Sequence, residues 1–290
     1  MASSKTLESG LGNSVEGLVI VDPPRSGESN MAIDEALLQN ATPAWPVVLR
    51  VYRWDRPTLS IGHFQKIEDR NEVPHLSELP WVRRKTGGGA IVHDQELTYS
   101  ILFPNRANYS VKGHNEALYR AIHLCFVEQL QKLGWDARLS ESCTCAATFE
   151  KIPSHFLCFS RRSPVDLIVD NAKILGSAQR RSATGLLQHG SFLLCRSQST
   201  PELCGLLDAP GGSNPNHPKK MREKAQDVAS LLEADSDNES STSVLDDWVE
   251  FFVSTLKTGT SRLLSINWQN GSIGNLPTMG KGNASPRMDD

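Results

Sequence analysis

The sequence predicts an α/β (α+β) fold with mixed, mostly antiparallel sheets and helices packed on them. Three observations predict it. Residues 165–194 alternate short apolar runs with turn residues, which is the pattern of a β-meander. Residues 83–103, RRKTGGGAIVHDQELTYSILF, read as strand, glycine loop, strand, turn and returning strand. Residues 113–133 place Leu118, Ala121, Ile122, Cys125, Phe126, Gln129, Leu130 and Leu133 at helical spacing, with Gly134 as C-cap.

The other elements follow in order. Residues 17–22 form a short apolar strand, broken by Pro23, Pro24 and Gly27. Ser29 is the expected N-cap of a helix over 30–39 with Ile33, Ala36 and Leu37 on one face. Asp34 and Glu35 sit early in that helix, where acids suit the dipole, so capping and solubility are their expected roles. Strands are expected over 47–54 and 58–61, with His63 at the end of the second as an ordinary hydrogen-bonding residue. Residues 66–80 connect, and 138–156 have no clean period and read as loop. The meander consists of strands over 165–169, 173–180 and 186–194, with turns at Asp170-Asn171 and 182–185. Gly176 marks a close approach to the backbone. Helices are expected over 221–232 and 244–257, the second with Trp248, Phe251, Phe252 and Leu256 on an apolar face.

Length and charge narrow the function. The 290 residues hold one large domain, or one with a small appendage. A net charge of −3 gives no overall footprint for nucleic acid or membrane. The polar N-terminus is not a signal peptide and no run approaches a membrane span, so a cytoplasmic location is expected. The cysteines at 125, 143, 145, 158, 195 and 204 are then expected as free thiols. Cys143 and Cys145 lack the second clip that structural zinc needs, so no metal is expected.

The glycine loop is the candidate binding device. Gly87, Gly88 and Gly89 let the backbone lie close to a ligand, with N–H groups free for a carbonyl, carboxylate or phosphate. Arg83 and Arg84 place two permanent charges just before it. No Gly-Lys-Ser/Thr follows and the dinucleotide spacing is absent.

The stretch RRKTGGGAIVHDQELTYS resembles the signature of the lipoate–protein ligase, octanoyltransferase and biotin ligase superfamily. Residues 30–38 (NMAIDEALL) are similar to the first helix of that family and 57–65 (PTLSIGHFQ) to its next strand and loop. Residues 166–179 (DLIVDNAKILGSAQ) resemble its lysine hairpin and 188–191 (QHGS) the following strand. The five blocks stand in family order over 30–194, and the chain past about 205 is matched loosely. The resemblance implies a biotin/lipoate ligase-like catalytic domain over 16–207. The expected flanks are a disordered stretch over 1–15, a linker over 208–220, a helical appendage over 221–266 and a disordered tail over 267–290.

Two chemistries fit that family. A ligase activates a free acid with ATP and magnesium, and a lysine steadies the acyl-adenylate. A transferase takes the acyl group from a thioester onto a cysteine and needs no cofactor. Cys158-Phe159 stands where the cysteine-dependent octanoyltransferases carry their nucleophile, and HDQELTYS looks like the transferase version of the signature. Arg161 and Arg162 depart from the less basic loop of the family, and with Lys173 they would lower the thiol's pKa from its usual ~8.5. The expected catalytic pair is therefore Cys158 and Lys173, with Lys173 as hydrogen-bond donor and proton shuttle. The expected substrate-binding set is Arg83, Arg84, Gly87, Gly88, Gly89, His93, Gly176, Ser177 and Ala178, with glycine amides as oxyanion hole. Arg83 and Arg84 would meet a phosphate in a ligase, or an acidic carrier and its pantetheine arm in a transferase. His189 is expected to be structural. The implied donor is acyl carrier protein, and the implied acceptor is a lysine of a lipoyl domain or glycine-cleavage H protein. A non-catalytic acyl- or lipoyl-binding module of the same fold is a third reading.

Overall fold

The computed structural model describes residues 15–105, 115–142, 156–209, 239–262 and 265–277. In chain order the strands and helices are β1 (Val15–Val21), α1 (Gly27–Asn40), β2 (Val47–Tyr52), β3 (Thr58–Ile61), β4 (Trp81–Arg83), β5 (Ile91–His93) and β6 (Glu96–Pro104). They continue with α2 (Asn115–Lys132), β7 (Ala137–Leu139), β8 (Leu167–Val169), β9 (Ala172–Arg181), β10 (Gly185–Leu193), α3 (Glu239–Ser261) and β11 (Ile266–Asn270). Eight strands form one mixed sheet in the order β11-β1-β2-β6-β10-β9-β8-β7. Within this sheet only β1 pairs in parallel among the described residues, with β11 on one side and β2 on the other. Strands β4-β3-β5 make a separate three-stranded sheet. The meander is built with its first turn at Asp170 and Asn171, both at positive φ, as a two-residue hairpin turn of twisted strands requires.

Strand alternation divides β6 between two faces. Leu97, Tyr99, Ile101 and Phe103 join the larger core, which α2 and α3 cover with Phe126 and Phe252. Phe126, Phe192 and Phe252 meet with ring centroids 5.0–5.4 Å apart. On the opposite face Leu102, Leu187, Leu37 and Trp45 make a smaller core under α1. Towards the other end of that face the residues turn polar, with Glu96, Thr98, Ser100, His189 and Ser191 all buried.

Several boundaries differ from expectation. Helix α1 starts earlier, because the Ser26 hydroxyl caps it by accepting from the Ser29 amide. Residues 137–139 form strand β7 against β8, which takes up the start of the loop expected over 138–156. Helix α3 is no appendage to 16–207. Trp248, Phe252 and Leu256 lie in the larger core, and Gly259 brings the helix close to Ile122 of α2. The stretch after 266 is not all tail either. Ile266 and Trp268 lie over Gly17, where a Cβ would come within 2.5 Å of both, so the missing side chain makes room for β11. The expected helix over 221–232, most of the linker, Cys143 and Cys145 lie outside the described residues. Cys125, Cys158, Cys195 and Cys204 are free thiols.

Candidate active site

A cleft of about 410 Å³ opens where the small sheet faces the polar end of the large one. Its walls come from α1 (Met31), β2 (Tyr52), the glycine loop (Arg84, Gly87, Gly88), β5 (Ile91, His93) and β6 (Thr98). Cys158, Gly176, Ser177 and Ala178 of β9 and His189, Gly190 and Ser191 of β10 complete it.

Cys158 is held by backbone bonds to the strand after the glycines. Its N–H donates to Ala90 O at 2.7 Å, and Ala90 N–H donates to Phe156 O at 2.8 Å. Phe156, Leu157 and Phe159 are buried around it, while the thiol side chain is half-buried at the cleft. Gly89 packs so tightly here that a Cβ would stand 2.9 Å from the Cys158 N and Cα. Gly88 has φ +96°, a conformation that favours glycine. Gly87 faces open space. The three glycines thus serve closeness, backbone angle and access respectively. Among the described residues their amides have no hydrogen-bond acceptor.

Lys173 crosses over Gly176, where a Cβ would lie 2.8 Å from its Cε. The ammonium reaches the Cys158 Sγ at 3.6 Å, the Cys158 and Arg161 carbonyls at 3.3 Å, and Asp166 Oδ2 at 2.8 Å. The ion pair is buried on both sides, which keeps the lysine aimed at the sulfur. Arg161 is exposed beside Gly89, and Arg162 donates to Asn171 O.

The two loop arginines have separate roles. Arg83 is exposed and donates to the carbonyls of Gly62, His63 and Gln65, so it staples the neighbouring loop and lines no part of the cleft. Arg84 is buried in the cleft wall and donates to Ser60 O, Ser60 Oγ, Gly87 O and Gly89 O. Burial pulls the Arg84 guanidinium down to about 10, with the Cys158 charge opposing.

Three histidines bring hydroxyls to the site. His93 bridges Glu96 Oε1 (2.7 Å) and Ser60 Oγ (2.6 Å) and stacks on Trp54. Burial lowers its pKa despite Glu96, so the ring is neutral at pH 7. His189 bridges Asp34 Oδ2 (3.4 Å) and Thr86 Oγ1 (2.6 Å), tying the glycine loop to α1. His123 bonds Val165 O (2.7 Å) and Ser177 Oγ (2.8 Å), and burial pushes its pKa down to about 3. Asp34 also accepts from Arg50, Tyr52 and Ser100. Burial alone would raise its carboxyl, but the His189 hydrogen bond and the Arg50 charge hold it below the ordinary range.

The structure thus brings together Cys158, Lys173, Arg84, His93, Gly87, Gly88 and the Gly176–Ala178 segment, and leaves Arg83 aside. Sequence reasoning assigns Asp34 to capping and solubility and His189 to structure, and it passes over His123 and Asp166. The signal for Asp34 was available: Asn30, Asp34 and Leu37 share the buried stripe of α1, and a charge on an apolar stripe marks a site. Among the described residues no three His, Cys, Asp or Glu side chains gather as a metal site, and no helix is long and apolar enough to cross a membrane.

A family model for the lipoyl protein ligase A/B catalytic domain matches residues 26–248. Octanoyltransferase LipM of Kyrpidia tusciae is 38% identical over 172 residues, 58% of this chain and 62% of that protein. Octanoyltransferase LipM of Bacillus subtilis is 40% identical over 169 residues, 57% of this chain and 60% of that protein. The match to octanoyltransferase LipM of Lysinibacillus sphaericus is 36% over 204 residues, 69% of this chain and 72% of the other. The chain thus spans about three fifths of the length of the first two of these relatives. Ta0514, a putative lipoate protein ligase from T. acidophilum solved with bound lipoic acid, shares the fold at TM-score 0.54 and 19% identity, over 89% of this chain and 90% of that one. The family model spans more than half of the chain, and the protein belongs to the lipoyl protein ligase A/B catalytic domain family.

Proposed function

We propose that the protein transfers an octanoyl or lipoyl group from acyl carrier protein to a lysine of a lipoyl domain or glycine-cleavage H protein, through a thioester on Cys158. The observation that carries this reading is the Lys173 ammonium 3.6 Å from the Cys158 sulfur at the cleft wall. The relatives named octanoyltransferase support the same chemistry. The work is cytoplasmic and needs no nucleotide, metal, nucleic acid or membrane.

The steps balance with the residues at hand. The Cys158 thiolate attacks the donor thioester carbonyl, and the tetrahedral species expels the donor thiolate, which takes a proton from Lys173. The target lysine arrives as an ammonium. It gives one proton to the now neutral Lys173, attacks the acyl-cysteine as an amine and loses its second proton to solvent as the amide forms. Cys158 leaves as thiolate and Lys173 is again ammonium. Asp166 keeps the lysine aimed between turnovers. The unengaged glycine amides suit an oxyanion, where each donor is worth ~10²–10³ in rate.

The test is intact-protein mass spectrometry with octanoyl–acyl carrier protein and no ATP. The expected result is a gain of one octanoyl group, removed by hydroxylamine and absent in Cys158→Ser. Modification of a lipoyl domain by octanoate and ATP, equal in wild type and Cys158→Ser, replaces this reading with a ligase. Binding of octanoate with no turnover from any donor leaves only a binding module.

A further inference from the structure

Three basic side chains of the arginine and lysine type are buried in the described part of the molecule: Arg50, Lys173 and Arg84. A cation taken out of water needs compensation. Arg50 has it twice, from Asp22 at 2.8 Å and Asp34 at 3.0 Å. Lys173 has Asp166 at 2.8 Å. Arg84, only 3% exposed, pairs with no carboxylate among the described residues. Its two terminal nitrogens are spent on neutral oxygens, those of Ser60, Gly87 and Gly89. Glu96 is reached only through Ser60 and His93. The fifth N–H, on Nε, is buried and has no acceptor among the described residues.

That charge shares the cleft of the thiol. Arg84 and Cys158 line the same cleft, and the Gly89 carbonyl that Arg84 holds belongs to the residue packed on the Cys158 backbone. The carbonyl bonds fix the guanidinium in the cleft wall before any substrate arrives, and prior fixing is what charge stabilisation uses.

We propose that Arg84 is a catalytic residue of acyl transfer, its guanidinium hydrogen-bonding the oxygen that turns negative when Cys158 attacks the donor thioester. This rests on the thioester reading. The new C–S bond forms from the thiolate, the carbonyl π pair moves to oxygen, and the Nε–H donates to that oxyanion. Collapse restores the carbonyl and breaks the donor C–S bond, and Lys173 protonates the departing thiolate. Arg84 itself gives up no proton. The two cations divide the work: the one with a carboxylate partner moves protons, and the one without holds charge.

The experiment is rapid-quench acylation of the full chain by octanoyl–acyl carrier protein, read by mass spectrometry. Arg84→Ala is expected to slow single-turnover acylation by ~10²–10³-fold. Millimolar guanidinium is expected to restore at least ~10-fold of that loss in Arg84→Ala and nothing in Lys173→Ala, a rescue that a merely structural role does not give. If Arg84→Ala does not fold, Arg84→Lys decides. It keeps the charge but lacks the planar fork, so acylation falls ~10-fold or more with the half-saturating donor concentration unchanged. Acylation at the wild-type rate in the folded variant, with the wild type forming its adduct, overturns the role of Arg84 alone. No adduct on the wild type overturns the thioester reading and this proposal with it.

Discussion

The two faces of β6 make opposite uses of burial. Leu97, Tyr99, Ile101 and Phe103 on one face and Glu96, Thr98, Ser100 and Leu102 on the other are all within 2% of full burial. The first set packs among the aromatic rings of α2, β10 and α3. The second set, Leu102 apart, is held by named partners: Glu96 by His93, Thr98 and Ser191, Thr98 by Trp54, and Ser100 by Asp34. An apolar face loses stability in proportion to the volume removed. A polar face loses it according to which partner is stranded, because an unpaired buried group bears its full desolvation cost.

The largest effect expected from breaking this contrast is on activity. Cys158→Ala removes the proposed nucleophile and should lower transfer to a lipoyl domain by ~10³-fold or more, with the melting temperature within a few degrees of wild type. Equal turnover by the variant would sink the nucleophile assignment. Phe252→Ala attacks the apolar face and should cost about 3–5 kcal/mol in denaturant unfolding, since its ring meets Tyr99, Phe126 and Phe192. Asp34→Asn attacks the polar face and should cost about 2 kcal/mol at pH 7. Its pH dependence sharpens the comparison. The folded Asp34 carboxyl lies below its unfolded value, so its contribution is complete above about pH 4 and fades as pH falls through the folded value. The stability gap between wild type and Asp34→Asn therefore narrows on acidification below about pH 4, while the gap for Phe252→Ala does not follow Asp34's titration. A gap for Asp34→Asn that stays constant from pH 7 to 2 contradicts the role given to its charge. The smallest effect is Gly87→Ala. Nothing lies within 4 Å of the added methyl, so unfolding should shift by less than about 0.5 kcal/mol. A larger loss would mean that the loop is packed where it is open here.

The meander, the long helix and the glycine loop were legible because local rules set them: period, turn chemistry and missing Cβ atoms. Asp34 was misread for a physical reason. Placing the cap at Ser29 puts Asp34 near the first turn, where acids serve the dipole. With Ser26 as the cap, Asp34 lies about two turns in, on the buried side. Arg83 and Arg84 show another limit, since adjacent residues at a strand end point to opposite sides and the sequence does not say which meets the cleft. Asp166 was quoted with the lysine hairpin, but its pairing with Lys173 comes from the way β9 folds back on β8, and a run of single residues does not display that contact. Strand β11 was hidden by its Gly/Asn/Pro-rich surroundings. The cue lay 249 positions earlier, in the bare backbone of Gly17 opposite Ile266 and Trp268.

That last pairing sets a clock. Val15 stands beside Ile266, so β1 waits through 251 residues of synthesis for its outer neighbour. At ribosomal rates of ~5–20 residues per second this is roughly 13–50 s. During that interval the outer edge of β1 has no strand partner, and an unpaired edge is where chains associate wrongly. The sheet is therefore completed only once β11 has been made, and folding yield should depend on how well that edge is guarded in the meantime.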